Sequence, residues 1–136
     1  MMLCGISLAI WLWLSSVLNG FEPTLPRNVS LTPYWFVVDV SNQRNYLFYR
    51  HTLLDVFSVS TGSRTRYKGN RELPEGIWRL GKRLDRDLAP LYGPRLMYLE
   101  RYDDTTNTFK PTNRAFHGTN EPHNIGKPTS MGCVYH

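Results

Sequence analysis

The sequence predicts a mainly β domain with little helix, preceded by an N-terminal apolar helix. Three observations lead there. Short β-branched and aromatic runs recur along the chain, separated by turn-forming stretches. From Leu3 to Leu18 the chain is almost wholly apolar, and no charged residue precedes Glu22. Beyond that leader there is no heptad, internal repeat or low-complexity tract. A length of 136 residues suits one domain with a modest core, and 41% hydrophobic with 13% aromatic residues excludes a disordered chain.

The leader, residues 1–20, is too short for a comfortable span of roughly 20 apolar residues and near the upper size of a signal-peptide core. It reads as a signal peptide, with Gly20 a weak cleavage position, or as an uncleaved membrane anchor through residues 3–18. A buried helix is the third reading. Either of the first two places the domain outside the cytoplasm. Residues 21–33 contain three prolines and read as a linker, leaving 34–136 as the folded domain.

Within that domain the run Tyr34–Val40 predicts a buried strand, and 41–45 (SNQRN) supplies turn chemistry. Tyr46–Tyr49 returns, and Leu54–Ser60 makes a third strand, so the three suggest an antiparallel meander. Trp35, Phe36, Tyr46, Phe48 and Phe57 are candidates for the sheet core or its faces. Residues 61–71 carry Arg64, Arg66, Lys68 and Arg71 in a glycine-punctuated loop. Such charge suits phosphate or nucleic acid, but without aromatic stacking partners it reads as a solvated loop. Residues 74–76 turn into a strand at Ile77–Leu80, and 81–94 read as loop with a helical turn near Leu84–Leu88. Arg95–Glu100 is a further strand, 103–107 a hairpin tip, and Ala115-Phe116 delivers His117 at a strand end.

The chemistry concentrates in the last twenty residues. His117-Gly118-Thr119 and Ser130-Met131-Gly132-Cys133 are separated by glycines, prolines and small polar residues, a layout able to bring imidazole and thiol together. Such a pair suffices for nucleophilic cysteine catalysis, in which the base takes the thiol proton and the thiolate attacks a carbonyl carbon. Cys4 lies in the leader, where it precedes the apolar run that a lipoprotein signal would need before it. Cys133 is then the single thiol of the mature domain and has no internal disulfide partner.

The segment 117–133 (HGTNEPHNIGKPTSMGC) resembles the active-site motif of L,D-transpeptidase catalytic domains, the YkuD-type family. Ser60-Thr61-Gly62, Pro74-Glu75-Gly76 and Tyr92-Gly93-Pro94-Arg95 are similar to its upstream stretches, so the likeness runs from about Tyr34 to Cys133. The resemblance implies a β-sandwich of mixed sheets, with Cys133 as nucleophile, His117 as general base and the Gly118 carbonyl orienting the imidazole. It implies oxyanion donors among the N–H groups of Met131, Gly132 and Cys133, with Ser130 and Thr119 also lining the substrate site. The implied reaction is acyl transfer in peptidoglycan stem peptides through a cysteine thioester, without metal or other cofactor, in a periplasmic or cell-wall setting. L,D-carboxypeptidase activity, or an inactive peptidoglycan-binding remnant, are the alternatives. Two positions depart from the family pattern: Met131 where histidine is common, and Tyr135 where arginine is usual. The family's usual short helix and closing strand after the cysteine would also be missing from a chain ending at His136.

A zinc site is the competing chemistry, since His117, His123, Cys133 and His136 fall within twenty residues, but only Cys133-x2-His136 has paired-ligand spacing. His123 and His136 read as solvent-exposed. Trp78 and Tyr92 belong either to the core or to a substrate groove, and Asn120 and Glu121 either to substrate amines or to solvent. A net charge of +5 suits an acidic wall polymer. No nucleic acid and no obligatory protein partner are implied.

Overall fold

Alternation of side chains along 34–40 decides the architecture. Phe36, Val38 and Val40 point to one face and Trp35 and Val37 to the other, and both sets are covered. A strand buried on both faces belongs to a sheet with layers packed on either side. The computed structural model describes residues 2–5, 23–65, 68–69 and 71–136, and it places this strand, β2 (Tyr34–Asp39), within an eight-stranded sheet. The others are β1 (Met2–Gly5), β3 (Arg44–Tyr49), β4 (Thr52–Ser58), β5 (Gly76–Leu84), β6 (Leu96–Asp103), β7 (Thr108–His117) and β8 (Val134–Tyr135).

Strand order is β4-β3-β2-β1-β5-β6-β7-β8. β2, β3 and β4 form the expected antiparallel meander, and β5, β6 and β7 form a second one. The β1–β2 and β7–β8 pairs are parallel, so the sheet is mixed. The two ends of this order meet, because Ser60, just past β4, forms an antiparallel bridge with Tyr135 of β8. Folding the sheet over in this way encloses Val38, Val59, Leu73, Trp78, Leu99, Phe116 and Val134. Each such side chain contributes about 1.5–3 kcal/mol on burial. A second cluster, Trp35, Val37, Tyr46 and Phe48, fills the outer face of β2 and β3, with Trp35 stacked on Phe48 at 4.2 Å.

The mainly β prediction holds, with helix among the described residues limited to two 3-10 turns, Pro90–Tyr92 and Pro122–Asn124. Four local readings change. Of the leader, only 2–5 is described, and it is a strand between β2 and β5 rather than helix; the remainder of that expected helix lies outside the described residues. Short apolar runs suit either state, and here the neighbouring strands supply the hydrogen-bonding partners. Strand β5 runs on through Gly81 and Lys82 to Leu84 instead of ending at Leu80, crossing an irregularity in its pairing with β6. No helical turn forms at 84–88; the one 3-10 turn there comes later, where Pro90 starts it. Residues 25–29, read as linker, pack down: Leu25 and Val29 cover Ile77, Tyr102 and Phe109, and the Tyr102 hydroxyl donates to Asn28 Oδ1 at 2.7 Å.

Candidate active site

His117 ends β7, and its position follows from the two-residue period of the strand. Phe116 faces the enclosed core, so Ala115 and His117 face outward. β8 runs parallel to β7 with Phe116 opposite Val134 and His117 opposite Tyr135. Continuing that register one residue back sets Cys133 beside Ala115, on the same outward face as His117. One strand over and two residues along corresponds to roughly 8 Å between Cα atoms. That separation can be closed by a thiol and an imidazole.

The imidazole is held on three sides. Its Nδ1 lies 2.5 Å from the Gly118 carbonyl oxygen. A carbonyl only accepts, so Nδ1 carries the proton and Nε2 keeps its lone pair. Tyr92 meets the ring edge-on at 5.1 Å between centroids, and Tyr135 lies against it at 5.5 Å. Only 5% of His117 is exposed. Burial pushes its pKa below the usual histidine value, the Gly118 bond opposes this, and His136 adds to the depression. The ring is therefore neutral near neutral pH, the state a base needs.

Cys133 is half-buried and its thiol is free. Burial raises its pKa, while the Ala115 N–H and the Arg114 guanidinium pull it down. The turn that presents it is tightly tied. Ser130 Oγ accepts from the Gly132 N–H at 3.1 Å and donates to the Cys133 carbonyl at 2.5 Å. Gly132 has φ +122°, and an added Cβ would lie 2.7 Å from Arg114 Nη1. Only glycine is at ease with both conditions.

The upstream motifs prove to be the frame of this turn. Ser60 and Tyr135 exchange backbone hydrogen bonds at 2.8 and 3.0 Å, Ser130 N–H donates to the Thr61 carbonyl at 2.9 Å, and Ser63 N–H to the Ser130 carbonyl at 3.0 Å. Ser60 Oγ donates to the Lys127 carbonyl at 2.6 Å. Gly62 lies so close to the Arg71 carbonyl and Gly132 Cα that no side chain fits there. Gly93 and Gly118 also abut: a Cβ on Gly93 would fall 3.0 Å from Gly118 Cα. That contact brings Tyr92 onto the histidine.

The expected site residues thus divide. His117, Gly118, Ser130, Gly132 and Cys133 converge with Tyr92 and Tyr135. Of the three expected oxyanion donors, the Gly132 N–H is engaged by Ser130 Oγ, while the Met131 and Cys133 N–H groups have no hydrogen bond among the described residues. Thr119 Oγ1 accepts from the Glu121 N–H at 2.9 Å and shapes its own loop. Glu121 in turn accepts from Asn124 at 2.6 Å. Met131 is 63% exposed beside the cysteine. Trp78 belongs to the core at 1% exposure. The ring of His136 lies between Phe57 and Phe116, on the opposite face from Cys133, so the Cys133-x2-His136 spacing does not converge. Two participants carry no sequence signal: Arg114, and Gln43, whose buried amide accepts the Thr61 N–H at 2.8 Å and donates to Thr61 Oγ1 at 2.7 Å.

The family model of the L,D-transpeptidase catalytic domain, YkuD, matches residues 33–135. The chain belongs to this family. The family model takes in the whole described sheet from β2 to β8 and every motif around the cysteine. Among curated proteins, none matches the chain. The YkuD-family chain is similar in fold to the solved structure of Bdellovibrio bacteriovorus Bd1075, with a TM-score of 0.59 and 20% identity. That match covers 77% of this chain and 40% of the Bd1075 chain.

Proposed function

We propose that this YkuD-family domain is a peptidoglycan L,D-transpeptidase working through Cys133. The observation that carries the reading is the shared outward face of Cys133 and His117, with the imidazole turned by Gly118 to offer Nε2. In the first half-reaction Nε2 takes the thiol proton and the thiolate attacks the carbonyl of the third, L-configured residue of a tetrapeptide stem. The oxyanion is met by the N–H groups of Met131 and Cys133. Collapse breaks the bond to the terminal D-alanine, whose amine leaves with the proton from His117. In the second half, a side-chain amine of another stem attacks the thioester, gives its proton to His117 and releases the thiolate. Water as acceptor gives trimming instead of cross-linking, through the same acyl-enzyme.

A net charge of +5 agrees with an enzyme acting on an anionic wall polymer. The test is incubation with purified disaccharide-tetrapeptide, followed by chromatography and mass spectrometry. The expected result is D-alanine release with dimer or tripeptide formation, abolished in Cys133→Ala. Unchanged substrate and an unmodified thiol would overturn the reading.

A further inference from the structure

Arg114 stands three residues before His117 on β7, and its guanidinium ties that strand to the cysteine turn and to the Arg71 segment. Its Nη1 donates to the Gly132 carbonyl at 2.8 Å and to the Arg71 carbonyl at 3.2 Å. The Gly132 carbonyl belongs to the peptide whose other end is the Cys133 N–H. In a trans peptide these two groups point in opposite directions. Fixing the carbonyl toward Arg114 therefore fixes the Cys133 N–H in the opposite direction. The same guanidinium sits against the position a Gly132 Cβ would take, and its charge acts on the Cys133 thiol. Arg71 and Arg101 surround Arg114 with further positive charge, so the neighbourhood favours an anion.

We propose that Arg114 is the positioning residue of this site, clamping the Gly132–Cys133 peptide so that its N–H is pre-aimed at the oxyanion while its charge favours the Cys133 thiolate. The proposal rests on the reading of Cys133 as an acylated nucleophile, and it adds a second lever to His117. A guanidinium suits the task because one planar nitrogen with two hydrogens reaches two carbonyls at once, and the group stays charged when half-buried. An ammonium supplies the charge without the fixed fork.

The experiment compares wild type, Arg114→Lys and Arg114→Met by two readouts on folded protein of measured Tm. One is the pH midpoint of Cys133 alkylation by iodoacetamide. The other is the acylation rate by a carbapenem, followed by intact mass at a pH above each midpoint. Arg114→Met is expected to raise the midpoint by about one unit and to slow acylation roughly tenfold or more even when fully ionised. Arg114→Lys is expected to restore most of the midpoint but not the acylation rate. A midpoint and an acylation rate both unmoved in Arg114→Met would overturn the proposal. So would changes that follow only the loss of Tm, with lysine no better than methionine. Wild-type protein that is never acylated would instead sink the parent reading, and the two failures are thereby told apart.

Discussion

Substituting Gly62 by alanine should break the site without touching a reacting group. The added Cβ would lie 1.6 Å from the Arg71 carbonyl oxygen, 2.6 Å from its carbon and 2.9 Å from Gly132 Cα. Carbon and oxygen normally approach to about 3.3 Å, so one of two backbone segments must retreat by roughly 1.7 Å. Neither can move alone. The Arg71 N–H donates to the Ser63 carbonyl at 3.1 Å, and the 130–133 turn is held by the bonds from Ser130 to Thr61 and from Ser63 to Ser130. Overpacking costs about 1–3 kcal/mol, and each strained hydrogen bond about 1 kcal/mol, giving roughly 3–5 kcal/mol. Against a typical total of about 5–15 kcal/mol, Tm should fall by at least about 12 °C. Gly126→Ala provides the comparison: its φ of +87° is unfavourable to alanine, but nothing lies within 4 Å, so the cost is backbone strain of about 1–2 kcal/mol. Differential scanning fluorimetry measures both, and iodoacetamide labelling reports the placement of Cys133. A Gly62→Ala protein that melts with wild type and labels at the same rate would refute the clamp.

Further outcomes follow from single groups. Gln43→Ala removes both bonds to Thr61 and should cost about 2–3 kcal/mol while also loosening the cysteine turn, checked by chemical denaturation and by labelling. Asn45 is fully buried and neither side-chain polar atom has a partner among the described residues. Asn45→Leu should therefore raise stability by about 1–3 kcal/mol, and a lower Tm would contradict that. Two histidines predict an acid limb. His117 and His136 both have folded pKa values depressed mainly by burial, so the unfolded chain takes up protons first as pH falls. Their contribution is complete above about pH 6.5 and is lost as pH drops through the folded values. Denaturation measured from pH 7.5 to 5 should show this decline, shallower in His136→Gln.

The strands and the reacting pair were legible for different reasons. Tyr34–Val40 announces itself by β-branched and aromatic density and Arg95–Glu100 by a short apolar run, because a sheet buries such residues on a two-residue period. The motif glycines were visible as letters, but their reason was not: Gly62 meets Gly132, and Gly93 meets Gly118, only once distant segments pack. Strand β8 has two residues and no periodicity to read, so the parallel register that aligns Cys133 with His117 became visible only in three dimensions. Gln43 lies in a polar turn that sequence reads as solvent-exposed, yet its φ of +53° turns the amide inward to Thr61. Arg114 shares the Phe116 face of β7 but reads in sequence as any surface arginine, and only the return of 130–133 past β7 gives it the Gly132 carbonyl to bind. The 81–94 stretch misled because its glycine and charges mask a strand that continues through an irregular pairing.

The proposed function requires the Cys133 sulfur to be a nucleophile served by His117. Intact-mass and peptide mapping after exposure to a carbapenem tests this most directly. The expected result is one covalent adduct per chain, mapped to Cys133, absent in Cys133→Ser and at least about a hundredfold slower in His117→Ala. A protein that remains unmodified, or that reacts equally fast without His117, would contradict it.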